Sequence, residues 1–128
     1  MTNDQRIIAV ASAAEAATGL GLVALPSVIV SLLLGPEPEG IAILLSRVAG
    51  IALIALGVAC WPERSTNGSA RPYLAMLIYN ALVGLLLTKL GLDGMGGILL
   101  WPAAILHLLL SGLLAWALSR VRTTSGAG

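Results

Sequence analysis

The sequence is short of charge, of aromatic side chains and of thiol and imidazole groups. Only 10% of its 128 residues are charged, against about 25% in a soluble domain. So few charges cannot clothe a water-soluble globule. Phenylalanine is absent and aromatics make up 4%, which leaves little from which to build a cation–π cage. A single cysteine excludes a disulfide framework within one chain. One histidine and one cysteine exclude an intrachain bis-histidine haem or a Cys/His zinc site. No metal and no cofactor are therefore expected. Seven basic and six acidic residues leave a net charge of +1 without a basic run, so nucleic acid is not an expected partner. A Walker loop, a dinucleotide-binding glycine turn, a zinc-hydrolase motif and a serine-hydrolase elbow are all missing. No residue reads as catalytic, and the polar loops are too small for an active site.

What the chain does have is apolar length. Hydrophobic residues make up 58% and the mean hydropathy is +0.97. Four long runs carry it: Ile7 to Leu34, Ile41 to Trp61, Tyr73 to Leu90 and Ile98 to Leu118. A helix needs about 20 apolar residues to cross the hydrocarbon core. Leu and Ala dominate the runs, and both are strong helix formers. The alternation of a membrane barrel is missing. The expected fold is all-α: a single domain, 1–128, of four antiparallel transmembrane helices. Its spans are expected at about 7–25, 41–61, 73–90 and 98–118, with 119–128 a flexible tail. Short connections built on Gly35–Pro36, Pro62–Pro72 and Gly91–Gly97 predict that sequential helices are antiparallel neighbours.

A cleaved signal peptide competes for the N-terminus. Only Ile7 to Val10 separate Arg6 from the small-residue sites at Ala11 and Ala13, shorter than the usual 7–15 residue core. An uncleaved first helix is the expectation. Arg6, Arg64, Arg71, Arg120 and Arg122 fall on one side of a four-span topology, and Glu37, Glu39 and Asp93 fall with Lys89 on the other. The positive-inside rule then predicts a bacterial inner-membrane protein with both termini in the cytoplasm. Trp61, Tyr73 and Trp116 would lie near the cytoplasmic interface and Trp101 near the outer one.

The first run would be about 42 Å long as one helix, too long for an untilted span. Pro26 biases its predecessor away from helix. The expected outcome is a spanning helix that stops near Leu25, then a short interfacial helix over 27–34. The alternative is one kinked, tilted helix. With the early stop, Glu15, Asn80 and His107 lie about 13–15 Å below the outer end, and Arg47 about 9 Å below it with a side chain that reaches further.

Four polar residues on four helices thus come to similar depth. Burying charge in the bilayer costs roughly 2.5–3.5 kcal/mol per residue on insertion scales, so partners are expected. Glu15 and Arg47 form the natural ion pair, with Asn80 and His107 completing a network. The network either fixes the register of the bundle or serves as a ligand, proton or ion site. Arg47 has the further option of snorkelling outward. Gly50, Gly57, Gly84 and Ser111 are expected to let the helices pack closely. On helix one, Ala9, Ala13, Ala17 and Gly21 form a second small face, for the bundle or for a second subunit. Cys60, at the cytoplasmic end of the second span, should stay reduced.

Ala14–Glu15 in the first of four short helices resembles the Ala-Glu pair of the small multidrug resistance transporters, whose first-helix glutamate binds protons and cationic drugs. The likeness is confined to Ala14–Gly19, and the order Thr18–Gly19 departs from that family. A looser resemblance covers the whole chain. Glu15, Pro26, a Leu-Leu-Gly ending at Gly35, Arg47, Ala59-Cys60-Trp61, Tyr79-Asn80, Trp101-Pro102 and His107 together look like small four-helix bacterial membrane proteins of a broadly DoxX-like kind. The leading expectation is an accessory or scaffold component of the inner membrane. Its partners would be the lipid bilayer and a homo-oligomer or larger membrane complex. The alternatives are a small proton-linked transporter that uses Glu15 and His107, and a quinone-binding or redox-associated subunit.

Overall fold

The computed structural model describes residues 1–62 and 69–125. Among them the chain forms five helices: α1 (Asn3–Ala24), α2 (Pro26–Leu34), α3 (Ile41–Ala59), α4 (Arg71–Leu92) and α5 (Leu100–Ser125). All but α2 are long and apolar enough to cross a membrane. The chain is a multi-pass, all-helical membrane protein.

Local chemistry sets the helix ends. Thr2 caps α1 with a capping box: its hydroxyl accepts from the Gln5 amide, while the Gln5 side chain accepts from the Thr2 amide. This starts α1 one turn ahead of the apolar run. Leu25 leaves the helix at φ −133° and ψ 58°, and Pro26 opens α2 at its first turn, where the missing N–H is harmless. The break expected at Pro26 therefore separates two helices. Gly35, at φ 90°, ends α2.

The end of α2 is held by chain that is distant in sequence. The amides of Gly97 and Leu99 donate to the carbonyls of Leu33 and Leu32, each at 2.9 Å. These carbonyls belong to the last turn of α2 and have no intrahelical partner. Gly97 sits so close that an added Cβ would fall onto the Leu32 and Ser31 carbonyls. The α4–α5 connection thus anchors α2.

Glycine decides which helices pair. A Cβ on Gly50 would meet the Gly19 carbonyl oxygen at 2.6 Å, and one on Gly57 would meet that of Ser12 at 2.6 Å. These contacts lay α3 antiparallel along α1 at backbone contact. Gly84 makes room between α4 and α5 for the Leu108 side chain, which an added Cβ would meet at 2.9 Å. Sequential helices pack as antiparallel neighbours in both pairs, but α3 does not run alongside α4. Instead α1 sits between α3 and the α4–α5 pair.

Two apolar clusters fill the bundle. Ile8, Ala11, Tyr73, Met76 and Leu114 belong to the one nearer the chain termini. Leu87, Leu100 and Ala104 form the other, with Leu34 against it. The first draws the start of α1, the start of α4 and the end of α5 together, so Arg6, Arg71, Arg120 and Arg122 share one end. Arg64 lies outside the described residues. Tyr73, expected at the interface, turns into the cluster and is 8% exposed. The expected flexible tail is corrected as far as Ser125, because α5 continues to that residue. Leu118 and Val121 are buried in the cluster, and the Arg120 guanidinium stacks 4.3 Å from the centre of the Trp116 ring one turn back.

Candidate functional site

Between the two apolar clusters lies a polar layer. Glu15 on α1 falls one turn beyond Ala11, Asn80 on α4 one turn beyond Met76, and His107 on α5 between Ala104 and Leu110. Helical periodicity repeats a face every three or four residues. Each polar side chain therefore continues the inward face of its own helix. Glu15 is 1% exposed and Asn80 is fully buried.

Asn80 organises the layer. Its Nδ2 donates to the Met76 carbonyl at 3.0 Å, which orients the amide and turns Oδ1 toward α5. Asn80 Oδ1 then lies 2.8 Å from His107 Nδ1. Because that oxygen can only accept, the neutral imidazole carries its proton on Nδ1. The Tyr79 ring stands edge-on to the imidazole, with centroids 5.9 Å apart and planes at 72°. Ser111 donates to the His107 carbonyl at 2.8 Å one turn along.

The Glu15 carboxyl completes the layer. Asn80 and Tyr79 are the side chains that present hydrogen-bonding groups to it. Its Oε1 lies 3.8 Å from His107 Nδ1, within ion-pair range if the ring is charged but beyond hydrogen-bond length. Oε1 is sealed and has no hydrogen-bond partner among the described residues. The Ser12 hydroxyl, one turn earlier on α1, is also sealed and unpartnered among them.

Three of the four residues read from the sequence thus meet, and Arg47 does not. Arg47 lies on the exposed side of α3 and forms no ion pair with Glu15. The reason is angular. Gly50, Leu53 and Gly57 are the buried residues of α3, and at 100° per residue Arg47 points about a quarter turn away from their common direction. The close glycine seam fixes that rotation, so the expected Glu15–Arg47 pair is replaced by a layer without arginine. Ile51 lies further round the helix still and is 60% exposed.

Tyr79 is the member that sequence reasoning missed as a site residue. Its neighbour Asn80 drew attention, and successive residues on a helix face different ways. The half-buried phenol reaches the layer from the edge of the inward face. Of the packing residues, Gly50 and Gly57 lie against α1, Gly84 lies against α5, and Ser111 bonds within α5. On the second small face of α1, Ala13 and Ala17 are exposed, while Gly21 is covered by Ile29 of α2. Cys60 is a buried free thiol in the cluster near the termini.

Comparison with family models, with curated proteins and with solved structures found no match to the chain. The site must be read from its own chemistry. It offers a buried carboxyl group, an imidazole, a carboxamide and a phenol in one layer. Such a set can bind a proton, pass one between groups, or hold a small polar ligand.

Proposed function

We propose that the chain is a small membrane protein built around a proton-binding carboxyl group, Glu15, and that it works as a proton-linked carrier. The observation that carries this reading is the unpartnered, sealed Oε1 of Glu15. A network that served only to fix helix register would close its hydrogen bonds, because low dielectric makes any open member costly. Arg47, the positive charge expected to pair with it, faces away. A buried carboxylate without a fixed counter-charge is expensive. A proton on the carboxyl group removes that charge and supplies a donor. The site thus favours exchange of a proton over permanent ionisation.

The reading is tested in proteoliposomes loaded with a pH-sensitive dye. Protein-dependent proton movement is expected under an imposed gradient, and Glu15→Gln should abolish it while the thermal melt stays intact. Equal proton movement in the variant would overturn the assignment.

The accessory or scaffold role is a second reading, and the exposed side of α3 favours it. Leu44, Leu45, Val48 and Ile51 are all at least half exposed there, with Arg47 among them. That side fits lipid, a second copy or another membrane subunit. A stoichiometric partner retained in mild detergent would support it.

The orientation belongs to the same proposal. Arg6, Arg71, Arg120 and Arg122 at one end, opposite Glu37 and Glu39, support a bacterial inner-membrane protein with both termini in the cytoplasm. The DoxX-like resemblance rests on the sequence pattern alone and is a family proposal compatible with this reading.

A further inference from the structure

Glu15 is sealed, so a proton must reach it through a neighbour. Its surroundings limit the choice. Among the described residues, the titratable and charged groups that face it are Tyr79 from α4 and His107 from α5. From α3, Arg47 turns outward. On α1 itself, Asp4 and Arg6 lie at the far end of the helix. His107 spans the distance between the inside and the surface. Its Nδ1 lies 2.8 Å from Asn80 Oδ1 and 3.8 Å from Glu15 Oε1. Its side chain is 14% exposed. No group among the described residues bonds its other nitrogen, Nε2.

We infer that His107 is the port through which Glu15 exchanges its proton, with Asn80 holding the ring in the tautomer that leaves Nε2 open. This inference rests on the proton-binding reading of Glu15. A hydronium ion, or a weak acid that departs as its conjugate base, gives a proton to Nε2 through the exposed part of the ring, and the ring becomes imidazolium. Attraction to the carboxylate draws the imidazolium across the 3.8 Å gap to hydrogen-bond length, the Nδ1–H bond breaks and its proton bonds to Oε1 of Glu15. The ring is left neutral with its proton on Nε2, and one positive charge has moved inward. Release reverses the sequence. Asn80 is a positioning residue: it touches the ring and sets which nitrogen waits for the proton.

His107 is the only histidine in the chain, so histidine labelled with ¹⁵N reports one ring. The full chain in lipid nanodiscs should show a neutral imidazole protonated on Nδ1 with a bare Nε2. A neutral ring protonated on Nε2 would overturn the inference without any variant. The rate is tested by a pH jump followed through the Glu15 carboxyl infrared band. His107→Gln keeps a group that can bond Asn80 but cannot relay a proton, and should slow loading about 10²-fold, as expected for loss of a positioned acid–base group. His107→Ala should be slow too and recover with added imidazole. Unchanged loading in both variants would refute the port. If His107→Gln does not fold, the wild-type spectrum still decides. Absence of any Glu15 band in the wild type would instead refute the proton-binding reading beneath it.

Discussion

Replacing Gly50 by alanine tests the glycine seam that rotates Arg47 out of the polar layer. The added Cβ would lie 2.6 Å from the Gly19 carbonyl oxygen and 2.9 Å from the Leu22 Cβ. The first is backbone and cannot swing aside. Ordinary contact begins at 3.4 Å, so α1 and α3 must separate by about 0.8 Å. Forcing an extra methyl group into a close-packed contact costs about 1–3 kcal/mol. Alanine returns at most about 1 kcal/mol of helix propensity. The expected outcome is a net loss of up to roughly 2 kcal/mol, and a gap of about 1–3 kcal/mol from a site where the methyl group meets nothing. Gly112→Ala is the matched control, because a Cβ there meets nothing within 4 Å. Both variants are helix-interior substitutions of the same kind, so the propensity gain cancels between them. Reversible unfolding in mixed micelles, followed by circular dichroism, should place Gly50→Ala clearly below Gly112→Ala. Equal stability would show that α1 and α3 do not approach at backbone contact, and the account of Arg47 would fall with it.

Other substitutions probe separate links. Asn80→Ala removes the partner of His107 Nδ1, and should cost about 1–2 kcal/mol of stability in the same assay, within the range for interhelical membrane hydrogen bonds; a neutral effect would mean the layer does not depend on that bond. Arg47→Leu should leave stability unchanged or raised and improve membrane insertion by up to about 3 kcal/mol, whereas a large loss of stability would reveal a partner for Arg47 within the fold. Gly97→Val places a side chain onto the α2 carbonyls and should speed hydrogen exchange at the end of α2, read by mass spectrometry, while leaving the α1–α3 seam protected. With Cys60 replaced by serine, Glu37→Cys should react with an impermeant maleimide from the periplasmic side; labelling only after the membrane is opened would reverse the orientation.

How far the sequence foretold this arrangement depended on the kind of information needed. Helix number followed from run length, and the α1–α2 break followed from Pro26, because both are local properties of the chain. Glu15, Asn80 and His107 were legible as a set, because a rise of 1.5 Å per residue converts position along each run into depth. Rotation was harder. Depth alone placed Arg47 with the others, but the rotation of α3 is fixed by Gly50 and Gly57 against α1, and that constraint is tertiary. The small residues were visible in the sequence and would have pointed Arg47 aside had they outweighed the attraction of opposite charges. Tyr79 was obscured by its place at the edge of the inward face. The bonds from Gly97 and Leu99 to α2 join segments more than sixty residues apart, and no local pattern announces them. The end of α5 was misjudged because its charged residues read as tail, whereas Leu118 and Val121 bury on one side and Arg120 lies over Trp116 on another.

The most direct test of the central claim is the equilibrium infrared spectrum of the full chain in lipid, recorded across a pH titration against Glu15→Gln. The chain has six acidic residues, and among the described ones Glu15 alone lies in the polar layer. The account expects one carboxyl C=O band from a sealed, protonated side chain, slow to exchange in deuterated water, that responds to pH and vanishes in Glu15→Gln. A spectrum with no such band, or a band that survives in the variant, would contradict a proton-binding role for Glu15.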